Sequence, residues 1–547
     1  MPLQARRSPP WPRWNLEQAL ERAAREWPDA EALVIAGRRL NYRELELSAH
    51  AVARALRAAG IGHGDHVGVC MGNAVEWVQF FYGAAIVGAV TVPVNTRFKA
   101  DELAYCLQQA DIKLLFTAGR FLKIDFMAML RRICPALEYA LPDAALPKLE
   151  EVVVLGDAIP AGAIDYGKWL ARGAYAPAVN AKAVDADDVM LIQYTSGTTS
   201  YPKGVMLTHD NMLRNAACVA PRFDCRAGDR YYSARPFYHV AGTTLSMLAA
   251  LTSGATLLSS PHFEPGEALR LMAAERCTIT SGNDTMFLMM CNHPDFGRHA
   301  VNLRSGWASA GAEASRQIVE QMGMRGLCHA YGLSEASPNV CMSWHDDDVE
   351  KRIGGWAHVL DDVEVQIRDT ATGRAQPPGQ TGEILVRGVS VMKGYYKMPE
   401  QTAQAIDAGG WLHSGDLGVM DEDGRLRFLT RVKDVFRVGG ENVAPAEVED
   451  VLNRHPQIKQ AQVIGVPDAR LTEVPAAYII LREGEAASAD DIIAWSREHM
   501  ANFRVPRYVK IVDTFENIGM TGSAKVQKNK LRAQALIDFG LQEKTVS

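Results

Sequence analysis

The sequence predicts an α/β fold with parallel sheets, followed by a β-rich lobe and a compact α+β tail. A chain of 547 residues is too long for one hydrophobic core, so several structural units are expected. Short β-rich runs alternate with helical patterns in the N-terminal part, which is typical of parallel sheets with crossover helices. After about Asp361 strand-like runs dominate, and near Lys433 a segment of small-domain size begins.

The individual elements are predicted by local signals. Two asparagines precede Gln or Glu at capping-box spacing, so a helix is predicted to begin after each: Asn15 with Gln18, and Asn41 with Glu44. Runs rich in β-branched and apolar residues predict these strands: His66 to Cys70, Val90 to Val94, Ile112 to Thr117, Glu151 to Leu155, Val363 to Arg368, Gly382 to Arg387 and Arg425 to Thr430. The Asp423-Gly424 pair before the last run predicts a hairpin turn.

Composition limits the classes of function. Hydrophobic residues make up 48% of the chain and charged residues 22%, as in folded soluble proteins. The net charge of −6 implies no basic surface, so we expect no nucleic-acid partner. The longest apolar run, Phe80 to Val94, is too short to span a membrane and predicts a buried helix followed by a buried strand. The nine cysteines include no C-x-x-C pair, which favours reduced thiols and a cytoplasmic protein.

A glycine-containing run of hydroxylated residues, followed by a lysine, is suited to binding a polyphosphate. Hydroxyls and successive backbone N–H groups donate hydrogen bonds to phosphate oxygens, and the lysine adds a cation. The residues are Thr195, Ser196, Gly197, Thr198, Thr199 and Lys203. A Walker A loop is the obvious rival, but Pro202 and Gly204 flank the lysine where that motif needs Gly and Ser or Thr. An ordinary hydrophilic loop remains an alternative.

Two carboxylates later in the chain are candidates for nucleotide and metal binding. Glu335 follows the hydroxyl of Ser334, and Mg²⁺ prefers such oxygen ligands, with phosphate completing its shell. Asp416 lies in a Gly-containing segment, and an ionised carboxylate accepts charge-assisted hydrogen bonds, which are the stronger kind. The alternatives are a solvated Glu in a loop and an Asp in a glycine turn.

Six motifs, spread from about residue 194 to 528 and in the expected order, resemble those of the adenylate-forming superfamily, which comprises acyl-CoA synthetases, adenylation domains and luciferases. The motifs begin at Tyr194, Pro236, Ser309, Tyr331, Trp411 and Met520. Ser200 and Ala524 stand where that superfamily usually has glycine. The resemblance implies a large N-terminal domain (1–432) of two αβ sheets plus the β-rich lobe, and a small mobile C-terminal domain (433–547).

The resemblance also implies roles for individual residues. For ATP it implies the 195–199 run with Lys203, and the following: Gly311, Ala312, Glu313, Tyr331, Gly332, Ser334, Asp416, Arg431 and Lys525. The segment from Ser309 to Ala312 would flank adenine and the acyl group. Asp416 and Arg431 would contact the ribose, Glu335 and Ser334 would hold Mg²⁺, and Lys525 would bridge the substrate carboxylate and the α-phosphate. Lys433 would be a hinge. A tunnel for CoA would be lined by Gly439, Gly440 and Glu441.

The acyl pocket implied by the resemblance contains His239, Val240, Asn283, Asp284, Trp307, Gly311 and Leu333. His239 would gate the carboxylate, although a histidine beside aromatic residues also fits a structural role in the core. Asn283 and Asp284 depart from the apolar residue and proline common in the superfamily. They either contact a polar group on the acid or order a neighbouring loop, and the second reading is favoured slightly.

The expected activity is that of an ATP-dependent acyl-CoA synthetase, with Lys525, Glu335, Thr195 and His239 as catalytic residues. The expected substrates are ATP with Mg²⁺, CoA and a small carboxylic acid that the sequence does not name. A stand-alone acyl-AMP ligase that loads a carrier protein is the alternative within the enzyme class. A catalytically silent nucleotide-binding regulator is the alternative outside it, and a luciferase-like oxygenase shares the same motifs. A homodimer is the expected assembly.

Overall fold

The computed structural model describes residues 7–157, 159–175, 183–195, 202–515, 517–519 and 526–541. The first strands are β1 Glu31–Ile35, β2 Arg38–Asn41, β3 His66–Cys70, β4 Val90–Pro93, β5 Ile112–Ala118, β6 Arg120–Phe121, β7 Ile124–Asp125, β8 Glu151–Leu155 and β9 Ile164–Asp165. They are followed by β10 Val189–Thr195, β11 Lys203–Thr208, β12 Arg230–Tyr232, β13 Thr256–Ser259, β14 Ile279–Asn283, β15 Ser305–Ser309, β16 Gly326–Gly332, β17 Asn339–Met342 and β18 Ala357–Val359. The remaining strands are β19 Val363–Arg368, β20 Thr381–Gly388, β21 Gly394–Tyr395, β22 Leu412–Met420, β23 Arg425–Arg431, β24 Phe436–Val438, β25 Glu441–Val443, β26 Ile458–Asp468, β27 Thr472–Leu481 and β28 Tyr508–Ile511.

Helices connect most of these strands. The first are α1 Leu16–Glu26, α2 Tyr42–Ala58, α3 Val75–Ile86, α4 Ala100–Gln109, α5 Phe126–Ile133, α6 Tyr166–Arg172, α7 His209–Val219, α8 Val240–Gly242 and α9 Ala249–Ser253. The others are α10 Pro265–Ala274, α11 Asp284–Cys291, α12 Ala312–Gln321, α13 Val349–Ile353, α14 Pro399–Ala405, α15 Pro445–Leu452, α16 Ala489–His499 and α17 Lys528–Asp538. A π-helical turn, Thr243–Leu248, joins α8 to α9. No helix in the described part of the chain is both long enough and apolar enough to cross a membrane.

Two large sheets form the N-terminal part of the molecule. Among the described residues, one sheet has 13 strands in the order β19-β20-β22-β23-β18-β17-β16-β15-β14-β12-β13-β1-β2. The other has 8 strands in the order β21-β11-β10-β4-β3-β5-β8-β9. A continuous hydrophobic core joins them, and it includes Trp77 and Phe80 of α3, Val69 of β3 and Trp307 of β15. The apolar helix α3 therefore lies inside the molecule, as the apolar run predicts.

The β-rich lobe is an extension of the larger sheet. Strands β16 and β17 pair antiparallel, as do β17 with β18 and β18 with β23. The predicted strand from Val363 to Arg368 is confirmed within the same sheet. The hairpin predicted at Asp423-Gly424 joins β22 to β23, and Gly424 has the positive φ (75°) that such turns require. The strands of the expected lobe are thus hydrogen-bonded to the αβ part as one continuous sheet.

The C-terminal segment has a sheet of its own. In the described residues its order is β25-β24-β27-β26, with β28 on β27. The boundary proposed between residues 432 and 433 falls in the short turn Val432–Asp434, which joins the last strand of the large sheet to β24. Gly439 and Gly440 form the two-residue turn between β24 and β25, with φ of +59° and +97°. Glycine adopts two such angles in succession without the strain that a Cβ would add, so the hairpin turn explains this pair of glycines.

Candidate active site

The carboxyl ends of neighbouring parallel strands bring the predicted acyl-pocket residues together. Strands β12, β14, β15 and β16 are parallel neighbours in the large sheet. Asn283 is the last residue of β14, Trp307 lies in β15 and Tyr331 near the end of β16. His239 follows β12 through a short loop. Ligands of α/β sheets bind at this edge, because the strand ends open there into loops.

The phosphate side is centred on Tyr395, which the sequence analysis missed. The phenol O–H of Tyr395 donates a hydrogen bond to Glu335 Oε1 at 2.9 Å. The ammonium of Lys203 lies over the same ring, 4.1 Å from its centroid. Strand β21 places the ring there, because Tyr395 pairs with Val205 of β11. Lys203 and Glu335 are therefore brought to one place by a residue that no motif marked.

The hydroxylated run itself is described only at its first residue. Thr195 ends β10 opposite Lys203 of β11, and its hydroxyl donates to the Lys203 carbonyl at 3.5 Å. Four predicted phosphate-binding residues lie outside the described residues: Ser196, Gly197, Thr198 and Thr199. The antiparallel pairing of β10 with β11 thus places Thr195 and Lys203 opposite each other.

Replacing Tyr395 with phenylalanine tests whether this ring positions Glu335. The ring under Lys203 is kept and the hydrogen bond to the carboxylate is lost, so kcat/KM for ATP should fall about 10-fold. The Mg²⁺ concentration that gives half-maximal rate should rise, which a purely structural change would not produce. Tyr396→Phe is the matched control, because that hydroxyl donates to Asp111 instead. Equal effects of the two variants would contradict the role given to Tyr395.

The predicted ribose side is a buried cluster around Asp416. This carboxylate is 4% exposed and accepts a hydrogen bond from the Tyr331 O–H at 2.8 Å. Arg431 lies directly opposite on the neighbouring strand, with its Nε 3.4 Å from Asp416 Oδ1. Phe428 stacks on Tyr331 with 5.2 Å between the ring centroids. Cross-strand pairing and stacking thus hold the carboxylate in one orientation.

The segment after β16 carries the remaining nucleotide candidates. Gly332 is exposed, and a Cβ there would lie 2.0 Å from the Pro338 carbonyl oxygen, so glycine is required. Leu333 is half-buried against the main core, and Ser334 begins a short 3-10 turn that also contains Glu335. This turn is anchored because the Met392 N–H donates to the Glu335 carbonyl at 2.9 Å.

The predicted carboxylate gate, His239, is half-buried. Its Nδ1 accepts the Ala241 N–H at 3.1 Å, so the neutral ring carries its proton on Nε2 and can donate from there. Burial, with a smaller effect of nearby Arg235, lowers the pKa of His239 to about 4. Val240, which follows it, is completely buried. The ring is therefore a neutral hydrogen-bond donor at physiological pH.

This burial predicts a pH dependence of folding. Burial lowers the pKa of His209, His239 and His329 to about 4 in each case. Between pH 6.5 and 4 the unfolded chain binds protons that the folded chain does not, so stability is complete above pH 6.5 and is lost towards pH 4. The slope should be about 1.4 kcal/mol per pH unit for each histidine. Urea denaturation at pH 7, 6 and 5 measures the free energy of unfolding. The His329→Gln variant should lower the slope by the contribution of one histidine. A flat profile would contradict the prediction.

The polar pair Asn283 and Asp284 has a local structural role. The Asn283 side chain caps α11 by accepting the Met286 N–H at 2.9 Å. The Oδ1 of Asp284 accepts the Thr285 N–H at 2.8 Å. These contacts agree with the reading in which the pair orders a neighbouring segment. A contact with the acid stays a prediction.

The predicted adenine side lies between the two domains. Ala312 and Glu313 begin α12 and line a cavity of about 140 Å³ together with Asp450 of α15. A Cβ on Gly311 would lie 3.7 Å from Asp450 Oδ1, and burial raises the pKa of that carboxyl. Helix α15 of the C-terminal domain thus covers the loop expected to contact adenine.

The predicted catalytic lysine, Lys525, lies outside the described residues. Helix α17 begins three residues later at Lys528, whose ammonium contacts Glu449 Oε1 at 2.7 Å and the Val463 carbonyl at 3.1 Å. The hinge candidate Lys433 is exposed, and partial desolvation of its ammonium lowers its pKa. Glu441, predicted at the CoA tunnel, is exposed after the Gly439-Gly440 turn.

Comparisons with known proteins agree with this arrangement. The family model described as AMP-binding enzyme matches residues 20–396, and the model of the AMP-binding enzyme C-terminal domain matches residues 447–525. The chain belongs to the AMP-binding enzyme family. The predictions of the superfamily, of the mixed α/β fold and of the acyl-CoA ligase class are thereby confirmed at the level of the family.

Relatives within the AMP-binding enzyme family show what the chain is similar to. The mitochondrial medium-chain acyl-CoA ligase ACSF2 of Mus musculus is 33% identical over 94% of this chain and 87% of its own length. The crystal structure of the anthranilate CoA ligase AuaEII with anthranoyl-AMP has a TM-score of 0.86 at 25% identity, over 96% of this chain and 98% of that one. ATP-bound MatB from Rhodopseudomonas palustris has a TM-score of 0.81 at 27% identity, covering 95% and 99%.

Proposed function

We propose that the chain is an ATP-dependent acyl-CoA synthetase that activates a carboxylic acid as an acyl-adenylate and transfers the acyl group to CoA. The observation that carries the proposal is the contact of Tyr395 with both Lys203 and Glu335. This contact brings together the motifs that begin at Tyr194 and Tyr331. Tyr331 itself donates a hydrogen bond to Asp416. The CoA ligases among the relatives support CoA as the acceptor.

In the first half-reaction an oxygen of the acid attacks the α-phosphorus of ATP, and pyrophosphate leaves with the bonding electrons. Nucleophile and triphosphate are both anionic, so the site must neutralise charge and fix orientation. Lys203 offers a cation beside the hydroxylated run, and Lys525 would act where charge accumulates on the α-phosphate. Asp416 and Arg431 would hold the ribose, and the Nε2–H of His239 would orient the attacking carboxylate.

The donors around Glu335 fit Mg²⁺. The carboxylate is half-buried and held by Tyr395, and the Ser334 hydroxyl is adjacent in the chain. The described residues contain no cluster of three or more His, Cys, Asp or Glu side chains that could enclose a metal. A cation at Glu335 must therefore take most ligands from phosphate and water, as Mg²⁺ does. Bound there, it would neutralise phosphate charge.

In the second half-reaction the thiol of CoA attacks the acyl carbonyl carbon, the thiol proton passes to solvent, and AMP leaves. The thiol needs access that the adenylating arrangement blocks, so the C-terminal domain is proposed to rotate about Lys433 and withdraw Lys525. The turn that contains Lys433 is the link between the two sheets, which supports a hinge there. Gly439, Gly440 and Glu441 would then face the thiol.

Detection of the thioester product distinguishes the acceptors. The enzyme is incubated with ATP, Mg²⁺ and a carboxylic acid, and with either CoA or a phosphopantetheinylated carrier protein, and the acyl thioester is identified by mass spectrometry. The proposal predicts acyl-CoA. Formation of the acylated carrier protein without any acyl-CoA would contradict the proposal and identify a carrier-loading ligase.

A further inference from the structure

Arg235 is a buried cation at the predicted acyl pocket. The residue is 9% exposed, and its Nε and Nη2 atoms have no hydrogen-bond partner within the residues that the structure describes. These two atoms form one edge of the planar guanidinium and present two parallel N–H donors. Leaving such donors buried and unmatched costs free energy, so an unmatched edge of a guanidinium calls for a ligand or another explanation.

The surroundings hold this guanidinium in place. It lies over the indole of Trp307, with its Cζ 4.3 Å from the ring centroid. The Trp307 Nε1–H donates to Tyr231 Oη at 2.9 Å, and Tyr231 in turn donates to Ser281 Oγ at 2.8 Å. The Asn73 amide donates to the Arg235 backbone carbonyl at 2.9 Å. Because ring and backbone are both fixed, the free edge is pre-organised.

The same edge of the sheet carries the residues expected around the acid. Arg235 follows β12 and precedes His239 by four positions, and the neighbouring strand β14 ends at Asn283. Burial lowers the pKa of Arg235 to about 10, so the group remains a cation at neutral pH. The charge of Arg235 also lowers the pKa of His239, so the two groups lie within electrostatic reach of each other.

A carboxylate is the ligand that best fits the free edge. Two parallel N–H donors match the two oxygens of a carboxylate in a bidentate pair, and the anion compensates the buried charge. A ketone or hydroxyl would satisfy one donor and leave the charge uncompensated. Asp284 contributes negative charge nearby, but Arg235 makes no hydrogen bond to it that would occupy Nε or Nη2.

We infer that Arg235 binds a second carboxylate, so that the acid activated by this enzyme is a dicarboxylic acid whose distal group docks on the Nε–Nη2 edge over Trp307. The inference rests on the proposed function, because it names the substrate class of the same site. The proximal carboxylate reacts beside His239, and the distal one fixes the length and orientation of the substrate. Arg235 is thus a specificity residue outside the reacting centre.

Acid-dependent pyrophosphate exchange tests the inference. Each dicarboxylic acid in a series of lengths is paired with the monocarboxylic acid of equal chain length, and kcat/KM is measured for each pair. The wild type should prefer one dicarboxylate over its partner by about 100-fold or more. Arg235→Met should abolish the preference, and Arg235→Lys should retain only part of it. Arg270→Met, which removes an exposed cation paired with Glu267, is the control and should leave the preference unchanged.

A stability measurement separates ligand binding from a structural role. A buried charge without a partner destabilises the ligand-free protein, so Arg235→Met should raise its melting temperature. A lower melting temperature, with equal loss of exchange for both members of each pair, would show that Arg235 supports the fold and would overturn the inference. A preference of the wild type for monocarboxylic or keto acids would also overturn it. If no acid in the series supported pyrophosphate exchange, the proposed function would be contradicted, and the inference with it.

Discussion

Lys525→Ala is expected to lower the rate of acyl-adenylate formation by about 100- to 1,000-fold while leaving thioester formation from supplied acyl-AMP close to the wild-type rate. The lysine would stabilise charge that accumulates on the α-phosphate only while the acid attacks. Once the adenylate exists, the proposed rotation has removed the side chain from the site. Pyrophosphate exchange measures the first step, and acyl-CoA formation from synthetic acyl-AMP measures the second.

The control for this variant lies in the same domain. Lys530 is exposed in α17, so Lys530→Ala removes an equal charge without touching the proposed site and should leave both half-reactions intact. A loss of equal size in both half-reactions of Lys525→Ala would contradict the role assigned to Lys525. It would indicate that the lysine serves the fold of the C-terminal domain or the binding of AMP.

Asp416→Ala is expected to lower kcat/KM for ATP by about 100-fold or more. The variant removes the acceptor for two ribose hydroxyls, and hydrogen bonds to a charged group contribute about 1.5–3 kcal/mol each. It also leaves Tyr331 and Arg431 without the carboxylate that they contact. The effect should therefore appear mainly in the KM for ATP, with a smaller change in the KM for the acid.

Comparison of ATP with 2′-deoxy-ATP makes the prediction specific. The wild type should use 2′-deoxy-ATP poorly, whereas Asp416→Ala should treat the two nucleotides alike, because the interaction is already absent. Asp423→Ala is the control, since Asp423 lies in the exposed turn between β22 and β23. If Asp416→Ala kept the full discrimination between the nucleotides, ribose binding by Asp416 would be disproved.

Local signals in the sequence predicted local structure well. The capping boxes at Asn15 and Asn41 are both present, because each depends only on residues within one helical turn. Strands β3 and β8 have the predicted bounds, because both are short apolar runs with clear ends. The helix followed by a strand inside the apolar run is also confirmed.

Contacts between distant segments could not be predicted from the sequence. The lobe from Val363 onward extends the larger sheet, and no local pattern specifies which strand edge a run will join. Tyr395 unites Lys203 with Glu335 only because β21 pairs with β11. Arg235 follows β12 and directly precedes the Pro236 motif, and a charged residue at that place beside the predicted acyl pocket was the signal that could have identified it. Its burial and its place over Trp307 follow from tertiary packing alone.

Formation of AMP from ATP across a panel of carboxylic acids, each with and without CoA, tests the central claim most directly. The panel should include monocarboxylic and dicarboxylic acids of matched length. The account predicts that AMP rises with one class of acid and that sustained turnover requires CoA. Acid-dependent pyrophosphate exchange without CoA-dependent AMP formation would contradict CoA as the acceptor. Absence of AMP and of exchange with every acid would contradict the assignment as an acyl-CoA synthetase.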